Sequence, residues 1–296
     1  MADPIPQRRN PRRYGGWIFI LAVIVLLVIW FNLQSDEKYP GAENIGVLPL
    51  KGMIVESQPW IEQLDDFVEN RRISAILIDV DSPGGAVTPS YELYQALKNA
   101  GERTDKPIVV SMGSLAASGG YMVALGGDTI IANPTSVTGS IGVIMNFPDF
   151  TELMDNLGVR MNVVKTGPFK DAGSPYRHMT DQDVDYYEGV IGDVFSQFKE
   201  IVALERNLEM PAVEVLADGR VFSGRQALDE GLVDALGTFH DAKIIACDMA
   251  GLAHDTPLVY PPRERQSLLR FILDDVSGVI PDWSRWTSTV LQYRMP

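Results

Sequence analysis

One cysteine and three histidines are all the chain offers among the residues most used for cross-linking and zinc binding. The lone Cys247 excludes an internal disulfide framework and any multi-cysteine metal site. His178, His240 and His254 leave little material for a histidine-rich zinc centre. Positive charge is also short: 25 Lys and Arg stand against 39 Asp and Glu, a net −14. That balance argues against a nucleic-acid partner, which needs cationic surface to meet phosphates. Internal repeats and low-complexity tracts are absent from the sequence. What is present is a chain of 296 residues with 46% hydrophobic and 22% charged side chains. Such a composition excludes a disordered protein and suffices for the core of one or two domains.

Tyr14 to Leu33 is 20 residues without a charge. As a helix it spans about 30 Å, the thickness of a bilayer core. Arg8, Arg9, Arg12 and Arg13 precede it, while Asp36 and Glu37 follow. The positive-inside bias puts residues 1–13 in the cytoplasm as a basic tail and the rest across the membrane. A cleaved signal peptide would have a shorter apolar region and a small-x-small site, which Phe31-Asn32-Leu33-Gln34-Ser35 does not provide. Residues 14–33 are therefore expected to be an uncleaved anchor, and 34–44 a polar linker. Residues 1–13 hold four arginines and one aspartate, so the remainder carries 21 basic and 38 acidic residues, a balance of −17. The exported part should stay soluble and avoid adsorbing to anionic lipid.

Beyond the linker, strand-like and helix-like blocks alternate. Ile45–Leu50, Ala75–Val80, Ile108–Met112, Thr129–Ala132, Ile141–Ile144 and Val159–Lys165 read as strands. Trp60–Asn70, Ser90–Ala100, Ser118–Leu125, Phe150–Leu157, Gln182–Glu209, Pro211–Ala217, Gly224–Glu230 and Asp241–Gly251 read as helices. Continuous apolar strands separated by helices predict an α/β fold, with a mostly parallel sheet covered on both faces. Pro257–Pro262 reads as a boundary, and Leu268–Val276 beyond it has helical spacing.

Three segments carry candidate chemistry. Asp81-Ser82-Pro83-Gly84-Gly85 follows a buried strand and precedes a helix. Its glycines permit a sharp turn whose free N–H groups can hold an anion or a developing oxyanion. Gly113-Ser114-Leu115-Ala116-Ala117-Ser118-Gly119-Gly120-Tyr121 follows a second buried strand and sets Ser118 at a helix start, where a serine is either a nucleophile or a simple cap. Ser114 is its rival by composition. The third segment is Lys165-Thr166-Gly167-Pro168-Phe169-Lys170-Asp171-Ala172-Gly173-Ser174-Pro175. A serine nucleophile needs a base. His178 is the only histidine near these segments, and a lysine such as Lys170 serves if burial leaves it neutral.

The order Ser-Pro-Gly-Gly, Ala-Ala-Ser-Gly-Gly-Tyr, Thr-Gly-Ser-Ile-Gly-Val and Phe-Lys-Asp resembles the signal peptide peptidase A family of membrane-anchored Ser/Lys-dyad peptidases, in its short form. The likeness runs from about Ile45 to Gly251. It includes Ala217-Asp218-Gly219-Arg220-Val221-Phe222-Ser223-Gly224 and Gly231-Leu232-Val233-Asp234. The resemblance implies a Clp-protease/crotonase-like superhelix of strand-turn-helix units over a peptidase domain at 45–251. It implies Ser118 as nucleophile, Lys170 as general base and Ser140 as the residue orienting the lysine. The N–H groups of Gly85 and Ser118 would form the oxyanion hole. No cofactor is implied. Apolar peptides, chiefly cleaved signal peptides, are the implied substrates. The implied setting is the outer side of a bacterial inner membrane, held by a single N-terminal pass, in a bowl-like homo-oligomer. Met122 departs from the family, which often has a second aromatic after the tyrosine. Residues 252–296 match no motif; packing on a neighbouring subunit or on the membrane are both open for Leu268–Val276 and the Trp283–Trp286 pair. A crotonase-like acyl-CoA enzyme, a non-catalytic membrane scaffold and a Ser-His protease using His178 are the competing readings.

Overall fold

The computed structural model describes residues 43–262, together with Val23 and the short strand Gln292–Arg294. The expected anchor at 14–33, its flanking tail and linker to residue 42, and the expected helix at 268–276 lie outside the described residues. No helix among the described residues is long and apolar enough to cross a membrane.

The elements follow in the order β1 (Asn44–Lys51), α1 (Gln58–Glu69), β2 (Ile73–Ser82), β3 (Gly84–Ala86), α2 (Val87–Arg103), β4 (Ile108–Ala117) and α3 (Gly119–Ala124). Next come β5 (Thr129–Ala132), β6 (Val137–Gly139), α4 (Thr151–Asn156), a 3-10 turn (Pro168–Asp171), α5 (Asp181–Arg206) and α6 (Met210–Leu216). The remainder is β7 (Val221–Ser223), α7 (Gly224–Asp229), β8 (Ala235–Leu236), α8 (Phe239–Ala250), β9 (Leu258–Val259) and β10 (Gln292–Arg294). Eight strands form one sheet in the order β7-β6-β4-β2-β1-β9, with β5 beside β4 and β8 beside β5. All its pairings are parallel except β6 with β7. This is the mixed α/β, parallel-rich architecture that the sequence pattern predicts.

Both faces of the sheet are covered, which is why its strands lack polar alternation. On one face Ile45, Val47, Ala75, Leu77, Val109 and Ile131 pack with Ala242, Ala246 and Cys247 of α8. Cys247 is thus a core residue, its thiol pushed up by burial. On the other face Gly46 leaves room for Phe67 of α1, whose ring would lie 2.5 Å from an added Cβ. Lys106 closes α1 by donating to the carbonyls of Phe67, Val68 and Asn70 at 2.7–2.8 Å, a cation at a helix C-terminus.

Two expected strands are not formed. Ile141–Ile144 is not the strand; β6 comes earlier, because Gly139 and Ser140 adopt positive φ and end it. Val159–Lys165 runs without a partner strand among the described residues, leaving Met161, Val163 and Val164 exposed. The sheet also continues past Gly251: β9 pairs with β1 at its edge, inside the expected boundary at 257–262.

Candidate active site

β4 positions the site by changing partners along its length. Val109–Met112 pair with β5, whereas Leu115–Ala117 pair with β6. The split brings β6 alongside the last residues of β4, so Ser118 emerges between β6 and the Gly84–Gly85 turn. Hydroxyls brace the junction: Thr138 Oγ1 donates to the Ala116 carbonyl at 2.6 Å, and Ser136 Oγ to that of Met112 at 3.1 Å. From the other side the Asp81 carboxylate accepts the Leu115 amide at 3.1 Å.

The crowding of small residues in two distant motifs has one cause: their backbones touch. A Cβ on Gly119 would lie 2.4 Å from Ser90 Oγ and 3.2 Å from both Gly84 Cα and the Gly85 nitrogen. A Cβ on Gly120 would lie 2.8 Å from the Ser82 carbonyl. On the far side of β3, Ile54 bridges Gly85, and a Cβ there would meet the Ile54 carbonyl oxygen at 1.9 Å. Ser82 Oγ accepts the Gly84 amide at 3.1 Å and holds the turn.

Ser118 has φ 54° and ψ −117° and is fully buried. A side chain in that region is strained, and such strain gathers at functional sites. Its Oγ is buried without a hydrogen-bond partner among the described residues, a rare state for a hydroxyl. A serine acting as a cap would show the opposite, since its oxygen would accept a first-turn amide. Ser140 has φ 50° and is buried. Its amide donates to the Arg220 carbonyl at 2.8 Å. Among the described residues the third non-glycine with positive φ is Asn207, where α5 ends in an ordinary left-handed cap. The two other such residues are thus the two serines singled out from sequence.

Gly85, Ser118 and Ser140 converge; Lys170 does not join them within one chain. It lies exposed on the 3-10 turn Pro168–Asp171, and its Nζ makes no hydrogen bond or ion pair among the described residues. Its neighbour is held firmly: Asp171 binds Lys165 at 2.6 Å and Arg177 at 3.0 Å, and Arg177 also grips Asp183 at 2.6 Å. These cations keep the carboxyl of Asp171 below the ordinary range and that of Asp183 far below it. His178 makes no hydrogen bond to Ser118 either. Its Nδ1 lies 2.6 Å from Asp149, and Ser118 Oγ has no partner among the described residues.

One oxyanion donor needs correction. The Ser118 amide is taken, donating to the Gly139 carbonyl at 2.7 Å, because the parallel ladder of β4 and β6 continues one residue past Ala117. The next amide, that of Gly119, opens α3 and has no intrahelical acceptor.

Sequence reasoning missed the residues that hold Ser140. Phe222 packs under Gly139, where a Cβ would meet its ring at 2.5 Å, and β7 pairs antiparallel with β6. Arg220, itself paired with Asp218, supplies the carbonyl that binds the Ser140 amide. The second late motif is structural too: the Leu232 carbonyl accepts the fully buried Tyr121 hydroxyl at 2.9 Å, so Tyr121 braces α3. A cavity of about 450 Å³ opens at Ser140, lined by Ile141, Val143 and Ile144 with Ile191 and Phe195 of α5.

The sequence profile of peptidase family S49 matches residues 100–252, just over half of the chain and a span that holds Ser118, Ser140 and Lys170. The chain belongs to peptidase family S49. A Synechocystis protein provisionally named a protease is 42% identical over 188 residues, covering 64% of this chain and 67% of the relative. An Enterococcus faecium protein provisionally named signal peptide peptidase SppA is 35% identical over 185 residues, 62% of this chain and 54% of that one. The chloroplastic serine protease SPPA of Arabidopsis thaliana is 29% identical over 208 residues, 70% of this chain and 30% of the plant protein. As an S49 member this chain is a serine peptidase. The S49 match starts within α2, so the Gly84–Gly85 turn lies before it, joined to it by the backbone contacts with Gly119.

Proposed function

We propose that the protein is a membrane-anchored endopeptidase that clears apolar peptides, chiefly the signal peptides left in the bilayer after export, by Ser/Lys acyl transfer. The observation that carries this reading is the orphaned, buried Ser118 hydroxyl at a strained backbone position beside a glycine turn. Ser118 Oγ attacks the peptide carbonyl. Neutral Lys170 takes its proton and passes it to the leaving amine. Gly85 and Gly119 amides face the oxyanion, and Ser140 orients the lysine. Water then hydrolyses the acyl-enzyme and frees Ser118. The cycle needs no metal or cofactor.

Lysine acts as a base only when neutral, and burial is what lowers its pKa. Lys170 gains that burial in a homo-oligomer. Supporting this, the arm carrying it displays Leu153, Leu157, Met161, Val163, Val164 and Phe169, with Val164 wholly exposed at 102% and Leu157 at 69%. An apolar stretch of this kind on a lone chain marks an interaction surface. Arg8, Arg9, Arg12 and Arg13 before the uncharged 14–33 segment support a site on the outer side of the inner membrane, where tethering would raise its effective concentration for bilayer-borne peptides. The apolar lining of the cavity beside Ser140 suits such substrates.

The test is hydrolysis of a fluorogenic apolar peptide by the full chain and by Ser118→Ala, Lys170→Ala and His178→Ala variants across pH. Activity should vanish in the first two variants and survive in the third. Full activity in Lys170→Ala would refute the dyad.

A further inference from the structure

The Asp81-Ser82-Pro83-Gly84-Gly85 motif opens with a residue to which the reaction has so far assigned no part. Along β2 and β4 the register runs evenly up to Val80 opposite Met112, and the next partners are Ser82 and Ala116. Asp81 alone therefore faces Gly113, Ser114 and Leu115, a bulge of two extra residues in β4. A bulge re-aims its strand and leaves backbone groups without ladder partners. This one lies where β4 exchanges β5 for β6, between Met112 opposite Ala132 and Leu115 opposite Val137. Side chains close the gap. Ser136 Oγ reaches the carbonyls of Met112 and Gly113. Asp81 Oδ1 accepts the Leu115 amide at 3.1 Å, while the Asp81 main-chain carbonyl accepts the Gly52 amide at 2.9 Å and ties its backbone to the end of β1. Gly113 leaves room for the carboxylate, since a Cβ there would lie 3.3 Å from Asp81 Cγ.

One side chain thus joins the two halves of the site. The Asp81 main chain runs on into the turn that carries Gly85, and its carboxylate holds β4 three residues before Ser118. Val80 to Ser82 and Met112 to Ala116 are both even steps, so the bulge advances β4 without reversing its faces. A slip of one residue would move the strand by about 3.3 Å and turn its side chains over. We infer that Asp81 is a positioning residue for peptide-bond cleavage, acting through its side-chain oxygen rather than its charge: the bond to Leu115 locks the bulge and so sets Ser118 against the Gly85 turn. The inference rests on Ser118 being the nucleophile.

The experiment compares the full chain with its Asp81→Asn, Asp81→Glu and Asp81→Ala variants. Asparagine keeps a carbonyl oxygen at the same reach without the charge. Glutamate keeps the charge and carries its oxygens one methylene further out. Hydrolysis of an apolar fluorogenic peptide, the rate of fluorophosphonate labelling at Ser118 and thermal melting are read for each. A reacting group displaced by about 1 Å loses about 100-fold in rate, so Asp81→Glu and Asp81→Ala should lose about that much in kcat, with KM moved less than about twofold. Asp81→Asn should keep kcat within about threefold of the parent, and labelling should follow the same ranking. The ranking of the asparagine and glutamate variants carries the test even if Asp81→Ala does not fold. Asp81→Asn as slow as Asp81→Glu, or slower, overturns the inference, and so does equal kcat in all four chains. Labelling that persists in Ser118→Ala would refute Ser118 itself and the inference with it; labelling confined to Ser118 and indifferent to Asp81 would refute the inference alone.

Discussion

The amide of Ser118 donates to the carbonyl of Gly139 at 2.7 Å, and this bond ties Ser118 to the residue preceding Ser140. It prolongs the β4–β6 ladder into the strained turn, so the positions of the two serines are set together. The glycine at 139, at φ +78° over the Phe222 ring, is what allows the close approach.

Gly85→Ala should abolish most activity while leaving the main sheet folded. The added Cβ would stand 1.9 Å from the Ile54 carbonyl oxygen, so β3 must shift and carry its amide away from the oxyanion. Loss of one such donor costs about 10²–10³ in kcat. Steady-state kinetics alongside thermal melting checks this; a fall in kcat with the melting transition nearly unmoved is the expected result.

Phe222→Ala removes the ring beneath Gly139 and leaves a cavity at the base of the Ser140 turn. A buried phenylalanine truncation costs about 3–5 kcal/mol, less where the site collapses or touches solvent. Both stability and kcat should fall. Phe222→Leu, which keeps most of the volume, should recover most of each.

Arg177→Ala should free the Lys170 turn by removing the partner of Asp171 and Asp183. Amide exchange over 168–183 should speed up and kcat drop, and stability should fall as well, because the buried Asp183 carboxylate loses its guanidinium partner. The pH dependence has a definite sign. A carboxyl whose folded pKa is depressed contributes stability above its ordinary value and loses it as pH falls through the folded one. Asp149, held down to about 2 by Thr151 and His178, should thus retain its bonds until the pH falls from near 3.8 towards 2. Asp171 and Asp183 carry the same sign, so local protection over 168–183 should be flat at neutral pH and fail only in acid.

Leu157→Glu combined with Val164→Glu places two charges on the exposed apolar arm. Both side chains are open to solvent in one chain, at 69% and 102%, so the monomer fold should be unaffected. Light scattering should show a smaller assembly, and peptidase activity should fall with it. Unchanged assembly with full activity would remove the arm from the interface.

The sheet was legible because a strand buried on both faces shows itself as an uninterrupted apolar run, as in Ala75–Val80. Ser118 and Ser140 were legible as members of ordered motifs. The short strand β6 was not, since Val137-Thr138-Gly139 has no apolar run and exists only through its pairing with β4. Val159–Lys165 misled in the other direction: its β-branched residues suit a strand, yet no partner strand meets it among the described residues. The oxyanion assignment to the Ser118 amide failed because a ladder bond to Gly139, distant in sequence, decides where that N–H points. Supporting residues such as Arg220 and Leu232 act through backbone carbonyls, which side-chain identity does not reveal.

The central claim is that Ser118 is the reacting group, and covalent labelling tests it most directly. The full chain treated with a fluorophosphonate should gain one adduct, located at Ser118 by peptide mass spectrometry, with labelling lost in Ser118→Ala and strongly slowed in Lys170→Ala. An adduct on Ser114 instead, or labelling that persists in Ser118→Ala, would contradict the account.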